Sequence, residues 1–198
     1  MNNREKILNV SIKLIAERGY DAVSIRQITR EVSIKESSFY NHFSSKQELL
    51  EEIFTLLQED LDQNRISLEE IKEMAKKVSL HEFLEYRLKK FLNGWTNETA
   101  RRLWYVISQQ QYKNKQAAEL IVDETEKSIK MYETAFRIFM AERKMKQEDP
   151  YFLAMLYGFS FRALHLHYTY RHFAGIINDT DFSEMHFLLE NFSIKYSV

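Results

Sequence analysis

Residues 31–50 read EVSIKESSFYNHFSSKQELL, and the segment ESSFYNHF lies between two breaks, SIK and SSK. Phe39 and Phe43 stand at i and i+4, the spacing of one apolar edge on a helix about two turns long. Around that edge Ser37, Ser38, Tyr40, Asn41 and His42 supply hydrogen-bonding groups, and Lys46 follows at the start of the next helix. A short helix anchored by two phenylalanines, with polar groups on its other side, has the properties needed to sit in a DNA major groove. There, base edges and phosphates call for donors and acceptors.

The flanking sequence supports this reading. Residues 4–18 place Ile7, Leu8, Ser11, Leu14 and Ile15 on one stripe at helical spacing, and Gly19 follows as a helix terminator. After YDAV, Ser24 is an N-cap with Gln27 three residues on, a capping-box pattern, and Ile25, Ile28 and Val32 form the buried edge of that second helix. A turn of about three residues joins it to the ESSFYNHF helix, which is the arrangement of a helix-turn-helix. Downstream, SSKQELLEEIFTLLQEDL opens on a serine cap and runs amphipathically through Leu49, Leu50, Ile53, Phe54 and Leu57.

Composition sets the class. The 198 residues include only four glycines and one proline, with 44% hydrophobic and 14% aromatic content, so the chain is all-α with ample core. Further helices are expected near 67–77, 79–95, 97–112, 115–145, 150–173 and 182–196. Asn93-Gly94, Asn97 and Asp149-Pro150 mark breaks, and Gly175 with residues 178–181 separates the last two helices. Net charge is −1, which excludes a polycation, and residues 1–50 carry a net of only +2 from eight basic and six acidic side chains. The absence of cysteine removes disulfides, thiolate metal sites and a cysteine nucleophile. The charged N-terminus lacks an apolar signal core, and the densest apolar run, 151–161, is shorter than the ~18 residues of a membrane span. A soluble, cytoplasmic protein without membrane contact is expected.

The run from Ile7 to Leu50 resembles the DNA-binding domain of the tetracycline-repressor (TetR) family of transcriptional regulators. The likeness includes Gly19, Tyr20, Ser24, Ile25, Ile28, Val32, Ser38, Phe39, Tyr40, Phe43, Lys46, Leu49 and Leu50. It implies roles residue by residue. Arg26 reaches a base or phosphate, and Ser37 and Ser38 open the reading helix with a phosphate contact. Tyr40 meets the DNA backbone, Asn41 pairs with adenine, His42 donates to phosphate, and Lys46 attracts phosphate at a helix N-terminus. Singly, each has a structural reading as well, Tyr40 at a core edge and Lys46 as a solvated helix-start lysine. Two positions depart from the family pattern: Ser33, where a turn glycine is common, and Glu36, a carboxylate near the groove entrance.

The resemblance also implies a helix-turn-helix domain over 1–48 and a larger helical effector-binding and dimerisation domain over 49–198. One reading helix covers too few base pairs, so two copies pair across a palindrome with half-sites about 34 Å apart or a multiple of it. The last two helices would form the homodimer interface, with Phe182, Met185, Leu188, Leu189 and Phe192 along one face. Aromatics crowd residues 83–173, and Trp95, Trp104, Tyr105, Tyr132, Phe136 and Arg162 are candidates for a pocket holding a small, largely hydrophobic effector. The bland reading makes most of these aromatics ordinary core.

Two other classes compete with this reading. A helical metalloenzyme would use His165, His167, His172 and His186. However, His165 and His172 stand about two turns apart, His165 and His167 diverge by about 200°, and neither Glu-x-x-His nor His-Glu-x-x-His occurs. Nucleophile elbows, phosphate-cradling glycine loops and dinucleotide fingerprints are missing too. A helical adaptor or sensor of the same architecture that does not bind DNA is the second alternative. The favoured expectation is a DNA-binding transcriptional regulator, a repressor released from a palindromic operator by its effector, with no catalytic residues, metal or cofactor.

Overall fold

The computed structural model describes residues 2–176 and 182–198. Among these it forms ten helices: α1 (Asn3–Arg18), α2 (Ile25–Val32), α3 (Glu36–Tyr40), α4 (Lys46–Gln63), α5 (Leu68–Lys77), α6 (Leu80–Thr96), α7 (Glu98–Gln110), α8 (Lys115–Ala141), α9 (Pro150–Phe173) and α10 (Ser183–Tyr196). The one extended pairing among the described residues is an isolated bridge between Met145 and Ser197. The expected break at 178–181 lies outside the described residues.

Local chemistry sets most helix starts. Asn2 and Glu5 form a capping box at α1, and Ser24 and Gln27 form the expected one at α2, with Gln27 N–H donating to Ser24 Oγ at 3.2 Å and Ser24 N–H to Gln27 Oε1 at 2.7 Å. Asp149 caps α9, accepting from the N–H groups of Tyr151 and Phe152 at 2.9 and 3.0 Å, and Pro150 occupies the first turn, where its missing donor costs nothing. Two helices end earlier than their patterns suggest. α8 stops at Ala141 and not near 145, because Arg143 adopts φ +56 and Lys144 N–H turns back to Phe139 O at 2.9 Å. α3 stops at Tyr40, and His42 and Phe43 N–H both return to Phe39 O, at 2.9 and 3.0 Å.

The chain packs as two compact units. The first comprises Met1–Asn64 and Asn97–Ile121. Its core holds Ile7, Ile15, Ile28, Phe39, Phe43, Leu49 and Phe54 together with Leu103, Val106 and Ile107 of α7. Polar ties fasten α7 and its C-terminal turn to the end of α1: Gln109 Nε2 donates to Ala16 O at 3.0 Å, and Lys113 Nζ meets Asp21 at 2.9 Å. The packing therefore does not divide at 48/49, a point inside α4, because Leu49, Leu50, Ile53 and Phe54 are buried in the same core as Phe39 and Phe43.

The second unit comprises Arg65–Thr96 and Val122–Val198. Its core is aromatic, with Phe83, Phe136, Phe139, Tyr157, Tyr168 and Phe192 buried. Arg65 Nη2 donates to both carboxylate oxygens of Glu124 at 2.9 and 3.0 Å, and Tyr168 bonds Glu184. The α10 stripe read from the sequence faces inward: Phe182, Met185, Leu189 and Phe192 all belong to this core. A different set, Phe187 and Ile194 of α10 with Phe152, Leu156 and Phe159 of α9, is exposed.

Candidate nucleic-acid interface

The interface begins with the turn between α2 and α3. Ser33 ends α2 in the left-handed region, φ 61 and ψ 43, and Ile34 N–H reaches back to Thr29 O at 2.9 Å. This is the geometry for which glycine is the usual residue. It frees Lys35 and Glu36 to start α3 in a new direction. α3 has five residues and no side-chain N-cap, so its position is fixed by tertiary packing. Phe39 and Phe43 supply that packing. Both are essentially fully buried, their ring centres lie 5.6 Å apart, and the Arg4 guanidinium covers Phe43 at 5.0 Å.

With the phenylalanines turned inward, the opposite flank faces solvent. Ser37, Asn41 and Arg26 are exposed, Tyr40 is 56% exposed, and Ser38 and His42 are half-buried. Six of the seven predicted DNA-contacting side chains thus lie on or beside α2 and α3 with polar atoms available. Arg26 and Glu36 form an exposed ion pair, Nε to Oε1 at 4.0 Å. At that distance and exposure the pair adds little stability, but it places a carboxylate beside the cation expected to read a base.

Lys46 is engaged differently. It is the first residue of α4, after the N-cap Ser45, and its Nζ donates to Tyr20 O at 2.5 Å while standing 4.0 Å from the Tyr20 ring centre. Burial lowers its pKa, and Asp21 opposes that shift. Lys46 therefore ties the α1–α2 link to the start of α4. An ammonium has three donors, so the bond to Tyr20 leaves capacity for a phosphate oxygen. Beside it, Ser44 donates to Glu48 through both N–H, at 2.6 Å, and Oγ, at 2.5 Å, which lowers the Glu48 pKa.

The predicted effector residues do not form one set. Trp104 and Tyr105 are in the first unit, packed against the core that holds Phe39. Trp95, Tyr132, Phe136 and Arg162 are in the second. There Tyr132 and Phe136 lie 5.8 Å apart, and Tyr157 contacts both, at 5.0 and 6.2 Å. Trp95 belongs to a neighbouring cluster with Phe91, His165, His172 and Phe182. Arg162 is half-buried; burial lowers its pKa against the opposing pull of Tyr170 and Glu124. Arg87 was missed by the sequence reading, although it stands at i+3 and i+4 from Leu84 and Phe83 and at i−4 from Phe91, a charge on an apolar stripe. His165 is buried, and burial followed by the charge of Arg162 lowers its pKa to about 3. Among the described residues no three His, Cys, Asp or Glu side chains gather as a metal site.

A helix-turn-helix with a solvent-facing polar flank thus lies in an otherwise helical chain with a separate aromatic unit. Comparison with known proteins agrees. Residues 7–53 match the family described as bacterial regulatory proteins, tetR family. The biofilm operon icaADBC HTH-type negative transcriptional regulator IcaR of Staphylococcus aureus is 39% identical over 49 residues, 25% of this chain and 26% of that protein. That match spans about a quarter of the relative's length. A protein of Saccharomonospora viridis, described as a transcriptional regulator in complex with choline, superposes with TM-score 0.71 at 20% identity over 98% of this chain and 97% of that one. The SmeT–triclosan complex gives 0.65 at 14% over 99% and 92%. These two likenesses establish a shared fold. The family likeness in sequence is thus confined to residues 7–53, and the likeness over the rest of the chain is one of fold.

Proposed function

We propose that this protein is a homodimeric, sequence-specific DNA-binding transcriptional regulator, a repressor released from a palindromic operator by a small, largely hydrophobic effector. The observation that carries the reading is the solvent-facing flank of α3, with Ser37, Tyr40 and Asn41 exposed opposite the buried Phe39 and Phe43. Residues within 1–48, in the first unit, would do the reading, and the second unit would bind effector and dimerise. The name of the S. aureus relative, a negative regulator, supports repression. The choline and triclosan complexes of the two fold relatives support a small-molecule effector.

Dimerisation through α9 and α10 is supported by Phe152, Phe159, Phe187 and Ile194, which are 60%, 49%, 67% and 78% exposed. They accompany an open groove of about 660 Å³ lined by Leu156, Ala163, Leu164, Phe187 and Leu188 among others. Apolar surface of this extent on a monomer is unusual and supports an interface there. No described helix is long and apolar enough to cross a membrane, and action on DNA is a cytoplasmic task in a bacterium. Regulation by an effector then requires only that the effector bind one spacing of the two readers more tightly than the other. The reading assigns no enzymatic activity, cofactor or metal to the chain.

The test is selection of bound duplexes from a random pool, followed by affinity measurement across salt concentrations. Recovery of a palindrome, with log affinity falling linearly against log salt, is expected. A protein that enriches no sequence and shows no salt slope is the DNA-independent adaptor instead.

A further inference from the structure

The second unit holds a half-buried guanidinium that no carboxylate balances among the described residues. Arg87 lies on α6, and its Nε and Nη1 are shut off from solvent with no hydrogen-bond acceptor in range. None of the ion pairs among the described residues includes Arg87. Its polar neighbour is the phenol of Tyr132, with which it interacts both by hydrogen bonding and by charge. Tyr132 and Tyr157 are themselves buried, 5.0 Å apart centre to centre, and Phe136 adjoins both rings. Burial raises both phenol pKa values, so these groups stay neutral and cannot balance the guanidinium.

A guanidinium does not deprotonate in a protein, and a buried charge is costly unless it is paired. Arg also offers planar, two-pronged donation that matches a carboxylate. The side chains beside it are aromatic, which suits contact with an apolar body attached to that carboxylate.

We propose that the second unit binds a small organic carboxylate on a largely apolar body, with the Arg87 guanidinium as its anion anchor beside Tyr132 and Tyr157. The inference rests on the effector-release reading and specifies the chemistry of that effector. Arg162, a pocket candidate from the sequence, is the poorer anchor because Tyr170 and the Glu124 carboxylate already favour its charged form.

The experiment uses the full chain and three matched acid–amide pairs: phenylacetate, 4-phenylbutyrate and octanoate, each against its primary amide. Thermal unfolding and calorimetric titration are followed for wild type, Arg87→Met and Arg87→Lys. At least one acid is expected to raise the unfolding midpoint and bind at least tenfold tighter than its amide. Arg87→Met should unfold at a higher midpoint than wild type without ligand, since an unpaired buried charge is gone, and should lose the acid preference. Arg87→Lys should fold and bind that acid at least tenfold more weakly. Absence of acid preference in every pair overturns the proposal. So does an Arg87→Met protein that keeps the preference or is destabilised without ligand, and so does an Arg87→Lys protein that binds as tightly as wild type. Release of a selected operator duplex is scored separately. Arg87-dependent acid binding without release would leave this assignment standing and defeat the effector-release reading.

Discussion

Lys46 and Tyr20, 26 residues apart, are joined twice: the ammonium donates to the tyrosine carbonyl at 2.5 Å and stands 4.0 Å from its ring centre. The start of α4 is thereby fastened to the link between α1 and α2, the two segments that frame α3. Lys46→Met removes both contacts while keeping the aliphatic stem. Because the group is half-buried and not enclosed, the expected loss is about 1 kcal/mol of unfolding free energy, measured by urea denaturation. Operator affinity should fall as well, by a similar factor for all sequences. A variant that loses affinity with unchanged stability would assign Lys46 to phosphate alone.

The side chains on the exposed flank should separate into positioning and reading groups. Tyr40→Phe, lacking only the hydroxyl, is expected to weaken binding to all duplexes alike by about 1 kcal/mol. Arg26→Ala should cost about 1–3 kcal/mol and relax preference at particular base pairs. Competition binding with single-base-pair variants of the selected operator distinguishes the two patterns.

Glu36 faces Arg26 across 4.0 Å and would lie near phosphate in a complex. Glu36→Gln keeps the shape and removes the charge, so operator affinity should rise at low salt and the salt dependence should steepen. Anisotropy titrations at several salt concentrations check this; an affinity that falls would mean that Glu36 holds Arg26 in its reading position.

Ser33 occupies φ 61 with a Cβ, a conformation that costs an ordinary residue about 1–2 kcal/mol. Ser33→Gly relieves that strain but gains unfolded-state freedom, for a net stabilisation of about 0.5 kcal/mol. Ser33→Val, stiff and β-branched, should destabilise by about 1 kcal/mol or more. Chemical denaturation of the two variants gives opposite signs if the turn is as described.

His165 has a folded pKa of about 3, set by burial and then by Arg162, against an unfolded value of about 6.5. The folded state thus binds fewer protons between those values. Stability present above about pH 6.5 is lost as pH falls toward 3, at about 1.4 kcal/mol per pH unit once below the upper limit. From pH 7 to pH 5 this group alone should remove about 2 kcal/mol. His165→Leu should show a correspondingly flatter acid limb in denaturation curves measured at the two pH values.

What was legible in the sequence was local. The capping box of Ser24 and Gln27, the proline after Asp149 and the 3.6-residue stripes act within one or two turns, so α2 and α9 could be placed to within a residue or two. The buried pair Phe39 and Phe43 was legible for the same reason. Distant partnerships were not. Nothing near Lys46 announces Tyr20, and nothing near Glu36 chooses Arg26 over Lys35. The recruitment of α7 into the first unit depends on residues about 90 positions from α1. An apolar stripe says that a helix side is buried without saying against what. That is why Met185 and Leu189 read as an interface face yet belong to the interior, while Phe187 and Ile194 remain outside.

The five-residue α3 is held by side chains that never meet solvent, and its outward residues form almost none of the bonds that keep it in place. Its grip and its vocabulary are therefore separate inheritances. Ser37, Tyr40 and Asn41 can be exchanged at little thermodynamic penalty to the scaffold, so under the proposed function a new target sequence would be reachable by rewriting three letters while the two rings beneath them stay as they are.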